Sequence, residues 1–244
     1  MGLEARRHLV IAGAIWAVAS ALGIAAVLAV GRILPVVASR EAGIVDGAFV
    51  LLTAVSVPVL MLVVVGLVYS AIRFRARPGE DGEGDGPPIH GHRALEVGWL
   101  VVTLGLVGFL ALYGSIGLIE IRGGERHDLR VEATALQWQW RFAYPDLGIT
   151  SKELVVPVGE RIQVTITSRD VVHSFSVPAF GVKMDAVPGR TTTVTVTPTE
   201  IGGYGVQCAE LCGFGHTRMT ADVAVVSAAD FEAWVAQQRQ AAQP

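Results

Sequence analysis

Between Cys208 and Met219 the sequence reads Cys208-Ala-Glu210-Leu-Cys212-Gly-Phe-Gly-His216-Thr-Arg-Met219, which gathers two thiols, an imidazole and a thioether in one short stretch. A second imidazole, His173, stands upstream at the head of a run that reads as a strand. Soft thiolate and thioether donors combined with imidazoles select copper among the biological metals. Zinc accepts two cysteines and two histidines but has little use for a thioether, so Met219 separates the two metals. The donor count goes further. A mononuclear blue-copper site uses one cysteine, two histidines and a distant methionine. Here the second cysteine lets two thiolates bridge two copper ions, each taking one imidazole, with Met219 and a backbone carbonyl as weak outer ligands. Two metals that share one unpaired electron change geometry little on redox cycling, which makes electron transfer fast. The competing structural reading is a Cys208–Cys212 disulfide, which closes if the loop turns helically and which an oxidising compartment favours. It leaves His173, His216 and Met219 without a role. Covalent haem is excluded, because three residues rather than two separate the cysteines.

These donors need a rigid frame, and the second half of the chain supplies the pattern of one. From about Glu125 onward the runs Arg161-Ile-Gln-Val-Thr-Ile-Thr and Thr191-Thr-Thr-Val-Thr-Val-Thr alternate polar and β-branched residues, as half-buried strands do. Gly159, Gly189 and the pair Gly202-Gly203 punctuate them. Several such strands predict a small antiparallel sandwich or barrel over residues 123–244. Ser227 with Asp230 three residues on predicts a capped helix start, followed by a short helix whose inner face is Phe231, Trp234 and Val235.

The first half is different in kind. Of the 244 residues 52% are hydrophobic and only 17% charged, and the mean hydropathy is +0.51. Such a balance points to a membrane portion. Leu9 to Gly31, Phe49 to Ile72 and Val97 to Ile119 contain no Asp, Glu, Lys or Arg. Each is long enough for the roughly 20 residues that cross a hydrocarbon core as a helix. Arg73, Arg75, Arg77 and Arg93 put the loop around Pro78 to Pro88 in the cytoplasm, and the β-rich half on the periplasmic side. Residues 1–42 read either as an extra transmembrane helix and linker or as a signal peptide, since Arg6, Arg7 and Ala17-Val18-Ala19 suit both. Residues 43–122 read as a transmembrane hairpin with a cytoplasmic loop. The fold class expected is therefore α+β: two or three N-terminal membrane helices, a β-sandwich or barrel, and a C-terminal helix. A net charge of −3 without a basic stripe gives no footprint for nucleic acid.

At these residues the sequence resembles subunit II of the haem–copper cytochrome c oxidases. The resemblance runs from about Gly43 onward and rests on several motifs: His173-Ser-Phe-Ser-Val-Pro178, Gly181-Val-Lys-Met-Asp-Ala-Val-Pro-Gly-Arg190, and the Cys208–Met219 run. Gln137-Trp138-Gln139-Trp140 and His90-Gly-His-Arg-Ala-Leu-Glu96-Val-Gly-Trp99 match as well. It implies a cupredoxin-like domain in which His173, Cys208, Cys212, His216, Met219 and the Glu210 carbonyl bind the dinuclear copper A centre. It implies that the Glu210 side chain helps hold magnesium or manganese against subunit I, where the residues alone would read as an ordinary loop acid. Trp138 matches the tryptophan through which electrons enter from cytochrome c, although a core tryptophan would look the same. Glu96 matches a carboxylate at the cytoplasmic mouth of a proton route, or is an interfacial acid at a helix end. Asp170, Lys183, Asp185 and Arg190 match positions facing subunit I, and Arg190 after Pro188-Gly189 equally suits a turn.

The resemblance also implies an electron-entry subunit in the plasma membrane. It would work with haem-bearing subunit I and subunit III, amid membrane lipid, in oxygen reduction coupled to proton pumping. There are departures. Leu-Val-Val-Thr follows Trp99 where the family usually has a proline a few residues on, Gln139 replaces an aromatic residue, and the first apolar segment is extra. A copper subunit of a nitric oxide or nitrous oxide reductase shares the motif, and a copper storage or delivery protein is the non-enzymatic alternative. The branch that oxidises quinol lacks these copper ligands.

Overall fold

The computed structural model describes residues 3–30, 36–75, 91–123 and 127–241. The loop Pro78 to Pro88, His90 and the start of the β-rich region at Glu125 lie outside these residues. The chain forms two compact units, Met1–Leu34 with Ala48–Ile116, and Pro35–Gly47 with Gly117–Pro244.

The first unit is built from helices α1 (Leu3–Val30), α2 (Arg40–Arg73) and α3 (Arg93–Arg122). All three are long and apolar enough to cross a membrane, and their leucines, valines and isoleucines are largely exposed. A soluble protein would cover such surfaces, and faces this long and apolar suit the hydrocarbon of a bilayer. Hydroxyls within α2 and α3 are satisfied by the helix backbone: Thr53, Ser56 and Thr103 donate to the carbonyls of Phe49, Leu52 and Trp99, each at 2.7 Å. Helix α1 packs along α2, with the Trp16 indole N–H donating to the Pro58 carbonyl at 2.8 Å. His8 Nδ1 meets the Tyr69 hydroxyl at 2.7 Å. The α3 start is capped reciprocally: His92 Nδ1 accepts from the Leu95 amide, and the Glu96 carboxylate accepts from the His92 amide.

Helix α2 starts nine residues before the apolar run that predicted it. Ser39 explains this, because its Oγ accepts from the Ala42 amide at 3.0 Å and donates to the Phe180 carbonyl. Buried Glu41 accepts from the Thr197 amide at 2.7 Å. Gly181, at φ +64, lies so close to Ala42 Cα that a Cβ would stand 2.8 Å away. This first turn of α2 thus belongs to the β-rich unit.

Among the described residues that unit contains ten strands: β1 (Leu129–Leu136), β2 (Gln139–Tyr144), β3 (Ile149–Ser151), β4 (Leu154–Pro157), β5 (Ile162–Ser168), β6 (His173–Val177), β7 (Val182–Ala186), β8 (Thr192–Val196), β9 (Gly202–Cys208) and β10 (Thr220–Val226). They form two five-stranded sheets, ordered β3-β2-β1-β5-β8 and β4-β10-β9-β6-β7. The antiparallel expectation needs correction at two pairs, since β1/β5 and β4/β10 are parallel. Alternation reports which face a strand buries but not the direction of its neighbour, which the crossovers between sheets decide. The pair Gly202-Gly203 stands at a strand boundary, as the first two residues of β9.

The inward faces carry Val131, Ala133, Ile162, Val164 and Ile166 from one sheet, and Phe175, Val206, Val223 and Val225 from the other. Trp140, Phe142, Tyr144 and Phe180 fill the space between them. Each large apolar side chain so buried contributes about 1.5–3 kcal/mol. The closing helix α4 (Ala228–Ala241) starts at Ser227, whose Oγ accepts from the Asp230 amide at 3.1 Å. Phe231, Trp234 and Val235 pack on the core as expected.

Candidate metal centre

Two strand ends and one loop bring the donors together. His173 opens β6, and Cys208 closes the neighbouring β9, where it pairs with Phe175. The loop after Cys208 is pinned at its ends, because the Cys208 amide donates to the Met219 carbonyl at 3.0 Å. The Ala209 amide donates to the Ser174 carbonyl at 2.9 Å. Within the loop a single 3-10 turn, His216–Arg218, directs the second imidazole back toward the thiols. Gly213, at φ +114, supplies the bend before it that a side chain would resist.

The resulting geometry is compact. Cys208 Sγ and Cys212 Sγ are 3.7 Å apart. His173 Nδ1 lies 3.9 Å from Cys208 Sγ, and His216 Nδ1 lies 3.7 Å from Cys212 Sγ. Met219 Sδ is 3.8 Å from Cys212 Sγ, and the Glu210 carbonyl is 3.2 Å from Cys208 Sγ. The disulfide reading is thereby removed: a disulfide needs about 2.05 Å between sulfurs, and both cysteines are free. Each imidazole faces one thiol, and the thioether and the carbonyl face opposite thiols. His173, Cys208 and Cys212 have donor atoms within 4.8 Å of one another, as a bound metal ion requires. Two thiolates, two imidazoles, one thioether and one carbonyl would suit two soft metal ions.

His173 is fully buried, and its other ring nitrogen, Nε2, meets Asp170 Oδ1 at 2.8 Å. This partner fixes the ring so that Nδ1 faces the thiols, as second-sphere carboxylates do for metal-bound histidines. Burial pushes the Asp170 carboxyl up, but the bonds from His173 and from the Gln137 and Val171 amides outweigh it and hold it at about 2. It is therefore ionised throughout the physiological range. At Cys212 burial prevails: with the Cys208 thiol beside it adding to the effect, the Cys212 thiol is raised to about 11. A metal must displace that proton to bind the thiolate.

The two tryptophans of the Gln137–Trp140 motif separate cleanly. Trp140 is 2% exposed and packs edge-on against Phe175 in the core, whereas Trp138 is 41% exposed. The Trp138 ring lies on the donor loop, with its indole N–H donating to the Cys212 carbonyl at 3.3 Å. A Cβ on Gly215 would stand 2.4 Å from that ring. Gln137 donates to the same Cys212 carbonyl at 2.8 Å. Gln137 and the inward role of Asp170 were missed by sequence reasoning, although a carboxylate three residues before a ligand histidine is a usable signal. Leu211 and Phe214 are exposed on the same loop, at 78% and 90%.

The remaining expected residues lie elsewhere. The Glu210 side chain is exposed and forms no hydrogen bond or ion pair among the described residues. Lys183 and Asp185 sit on the exposed face of edge strand β7 and approach each other at 3.9 Å. Arg190 closes the turn after Gly189, its amide donating to the Val187 carbonyl and its carbonyl accepting from Thr167. Glu96 is far along the chain in the helical unit, within the α3 cap.

Residues 147–226 match the family described as cytochrome C oxidase subunit II, periplasmic domain. The chain is 32% identical to cytochrome c oxidase subunit 2 of Thermostichus vulcanus, across 83% of this chain and 77% of that protein. It is 30% identical to cytochrome c oxidase subunit 2 of a Synechocystis species, across 84% and 75%. Among solved structures it is similar to the periplasmic domain of subunit II of cytochrome oxidase from Bradyrhizobium japonicum. That likeness has 36% identity and a TM-score of 0.46, and covers 47% of this chain and 96% of the other.

Proposed function

The chain belongs to the cytochrome c oxidase subunit II family, and from that premise we propose that it is the electron-entry subunit of its oxidase, with a dinuclear copper A centre held by His173, Cys208, Cys212, His216, Met219 and the Glu210 carbonyl. The observation that carries this is the matched set of donor distances, 3.7–3.9 Å from each thiol to its imidazole and between the two thiols. Bound there, the copper pair supplies a one-electron relay with little reorganisation. The protein's part is to keep the donors in place. Asp170 aims His173, the Cys208–Met219 backbone bond closes the loop, and Trp138 lies on that loop with one face open to a donor protein.

In this reading the Trp138 face would receive cytochrome c, and His173, Cys208, Cys212, His216 and Met219 would hold the copper pair that supplies one-electron transfer toward haem in subunit I, the site of oxygen reduction. The exposed Glu210 carboxylate would contribute to a magnesium or manganese site shared with subunit I. Lys183, Asp185 and Arg190 would tie the domain to it, with subunit III completing the complex. Residues 43–122 form the membrane hairpin and 1–42 a further helix and its linker, in the plasma membrane with the copper domain on the periplasmic side. The side-chain packing of α1 on α2 supports a retained helix. Glu96, at the other membrane face, would stand at the mouth of a proton route while also capping α3.

Electron paramagnetic resonance of the full chain loaded with copper tests the centre. Hyperfine splitting from two equivalent copper nuclei is expected, and Cys212→Ser should abolish it. A mononuclear spectrum from the unaltered chain refutes the reading.

A further inference from the structure

The helical unit contains a second site, unconnected with the thiols. At the end of the α1–α2 pair that carries the arginines, a cavity of about 250 Å³ is lined by Glu4, Arg7, His8, Ile11, Tyr69 and Arg73. Neither Arg7 nor Arg73 has an ion-pair partner among the described residues. Two guanidinium groups against one carboxylate leave the arginines and glutamate of the cavity with one positive charge in excess. Its floor is ordered. His8 Nδ1 is engaged by the Tyr69 hydroxyl at 2.7 Å, so Nε2 remains as the ring's unused polar atom. Phe74 packs edge-on against both rings, with centroids 5.4 Å from His8 and 6.3 Å from Tyr69.

Tyr69 and Arg73 also line an adjoining cavity of about 310 Å³ whose other walls are apolar, formed by Ile15, Val64, Val65, Val68 and Ile72. A cationic cup therefore opens onto an apolar slot that runs along the same two helices into the span. The two parts have the division of an anionic phospholipid, with a phosphate-bearing head and an acyl chain. We propose that this groove between α1 and α2 binds one anionic phospholipid, its phosphate at Arg7 and Arg73 and a chain along Val64, Val68 and Ile72. A free phosphate would use the cup alone, and an apolar helix of another chain would use the slot alone. Only a lipid uses both. The inference rests on α1 and α2 spanning a membrane and is independent of the copper reading.

Native mass spectrometry of the full chain in detergent tests it, with separate titrations of phosphatidylglycerol, phosphatidylcholine of the same acyl chains, and inorganic phosphate. A basic residue at a membrane surface favours anionic lipid by about fivefold. One phosphatidylglycerol should accordingly be retained well above phosphatidylcholine. Arg7→Gln with Arg73→Gln should bring the two lipids to parity, and the lysine pair should restore the preference. Arg6→Gln with Arg75→Gln, which leaves the cavity lining intact, should change nothing. Val68→Trp should weaken lipid binding by filling the slot while both arginines remain. Several results overturn the proposal: equal retention of the two lipids, a preference that survives loss of Arg7 and Arg73, or an equal effect of Arg6 and Arg75. Phosphate retained as firmly as lipid overturns it too, as does a chain dimer that excludes lipid. None of these readouts involves copper, so failure here leaves the metal reading standing.

Discussion

Gly215→Ala perturbs the contact between Trp138 and the donor loop with the smallest change available. The backbone at Gly215, φ −90 and ψ 8, is open to any residue, so conformational strain is not the obstacle. The obstacle is the ring: an added Cβ would meet Trp138 Cδ2, Cγ and Cε3 at 2.4, 2.5 and 2.7 Å. Carbon atoms need about 3.5 Å or more, so something must yield by about 1 Å. The loop is held by the His216 amide on the Gly213 carbonyl at 3.1 Å and the Arg218 amide on the Gly215 carbonyl at 3.0 Å. Trp138 is held by one long bond of 3.3 Å and is partly exposed, so the ring gives way. Overpacking of this kind costs about 1–3 kcal/mol of stability. A ring loosened from its seat must also be re-ordered when a donor docks, at about 0.5–1.5 kcal/mol, which is about two- to twelvefold in the second-order rate of electron entry. Stopped-flow reduction of the complex by cytochrome c measures the rate, and denaturant unfolding of the chain measures the stability. The copper resonance should stay unchanged. A normal rate with normal stability would show that the ring is not held by this loop. Loss of the copper signal would show that Gly215 serves the ligands rather than Trp138.

Two further predictions concern the buried hydroxyl and the buried thiol. The Tyr144 hydroxyl donates to the Val155 carbonyl at 2.9 Å and accepts from the Val155 amide at 2.8 Å, satisfying both backbone groups of that residue in edge strand β4. Tyr144→Phe strands both backbone groups and should cost about 2–4 kcal/mol in denaturant unfolding, without altering the copper spectrum. Burial raises the Tyr144 hydroxyl above its usual value of 10.0, so the unfolded chain ionises first. Stability should therefore fall as pH rises above about 10, and the variant should lack that tyrosine's share of the slope; an unchanged slope refutes the assignment. Metal-free Cys212, raised to about 11 by burial and its neighbouring thiol, should react with iodoacetamide at pH 8 about two orders of magnitude more slowly than an unstructured cysteine. Peptide mapping tracks the rate, and reaction as fast as in the denatured chain would contradict the burial.

The sequence by itself determined whatever is written in residue type and short-range spacing. The donor types between Cys208 and Met219 select a soft metal because thiolate and thioether chemistry belongs to the side chains themselves. The three uncharged runs are legible because a bilayer imposes a length on them, and the alternation in Ile162–Ser168 because a sheet has two faces. The Ser227–Asp230 cap lies within one helical turn and was readable for the same reason. Contacts between residues distant in the chain were decided only by the tertiary structure. The parallel pairing of β1 with β5 comes from how the sheets cross, which no local pattern records. Helix α2 starts at Arg40 because Ser39 and Glu41 find Phe180 and Thr197, more than a hundred residues away. Trp138 and Trp140 are alike in sequence, and only the packing of one against Gly215 and the other against Phe175 tells them apart. The copper ligands themselves straddle this boundary. As proposed ligands, their residue types are written in the sequence and His216 reaches Cys212 within one loop, whereas the pairing of His173 with Cys208 needed β6 and β9 side by side.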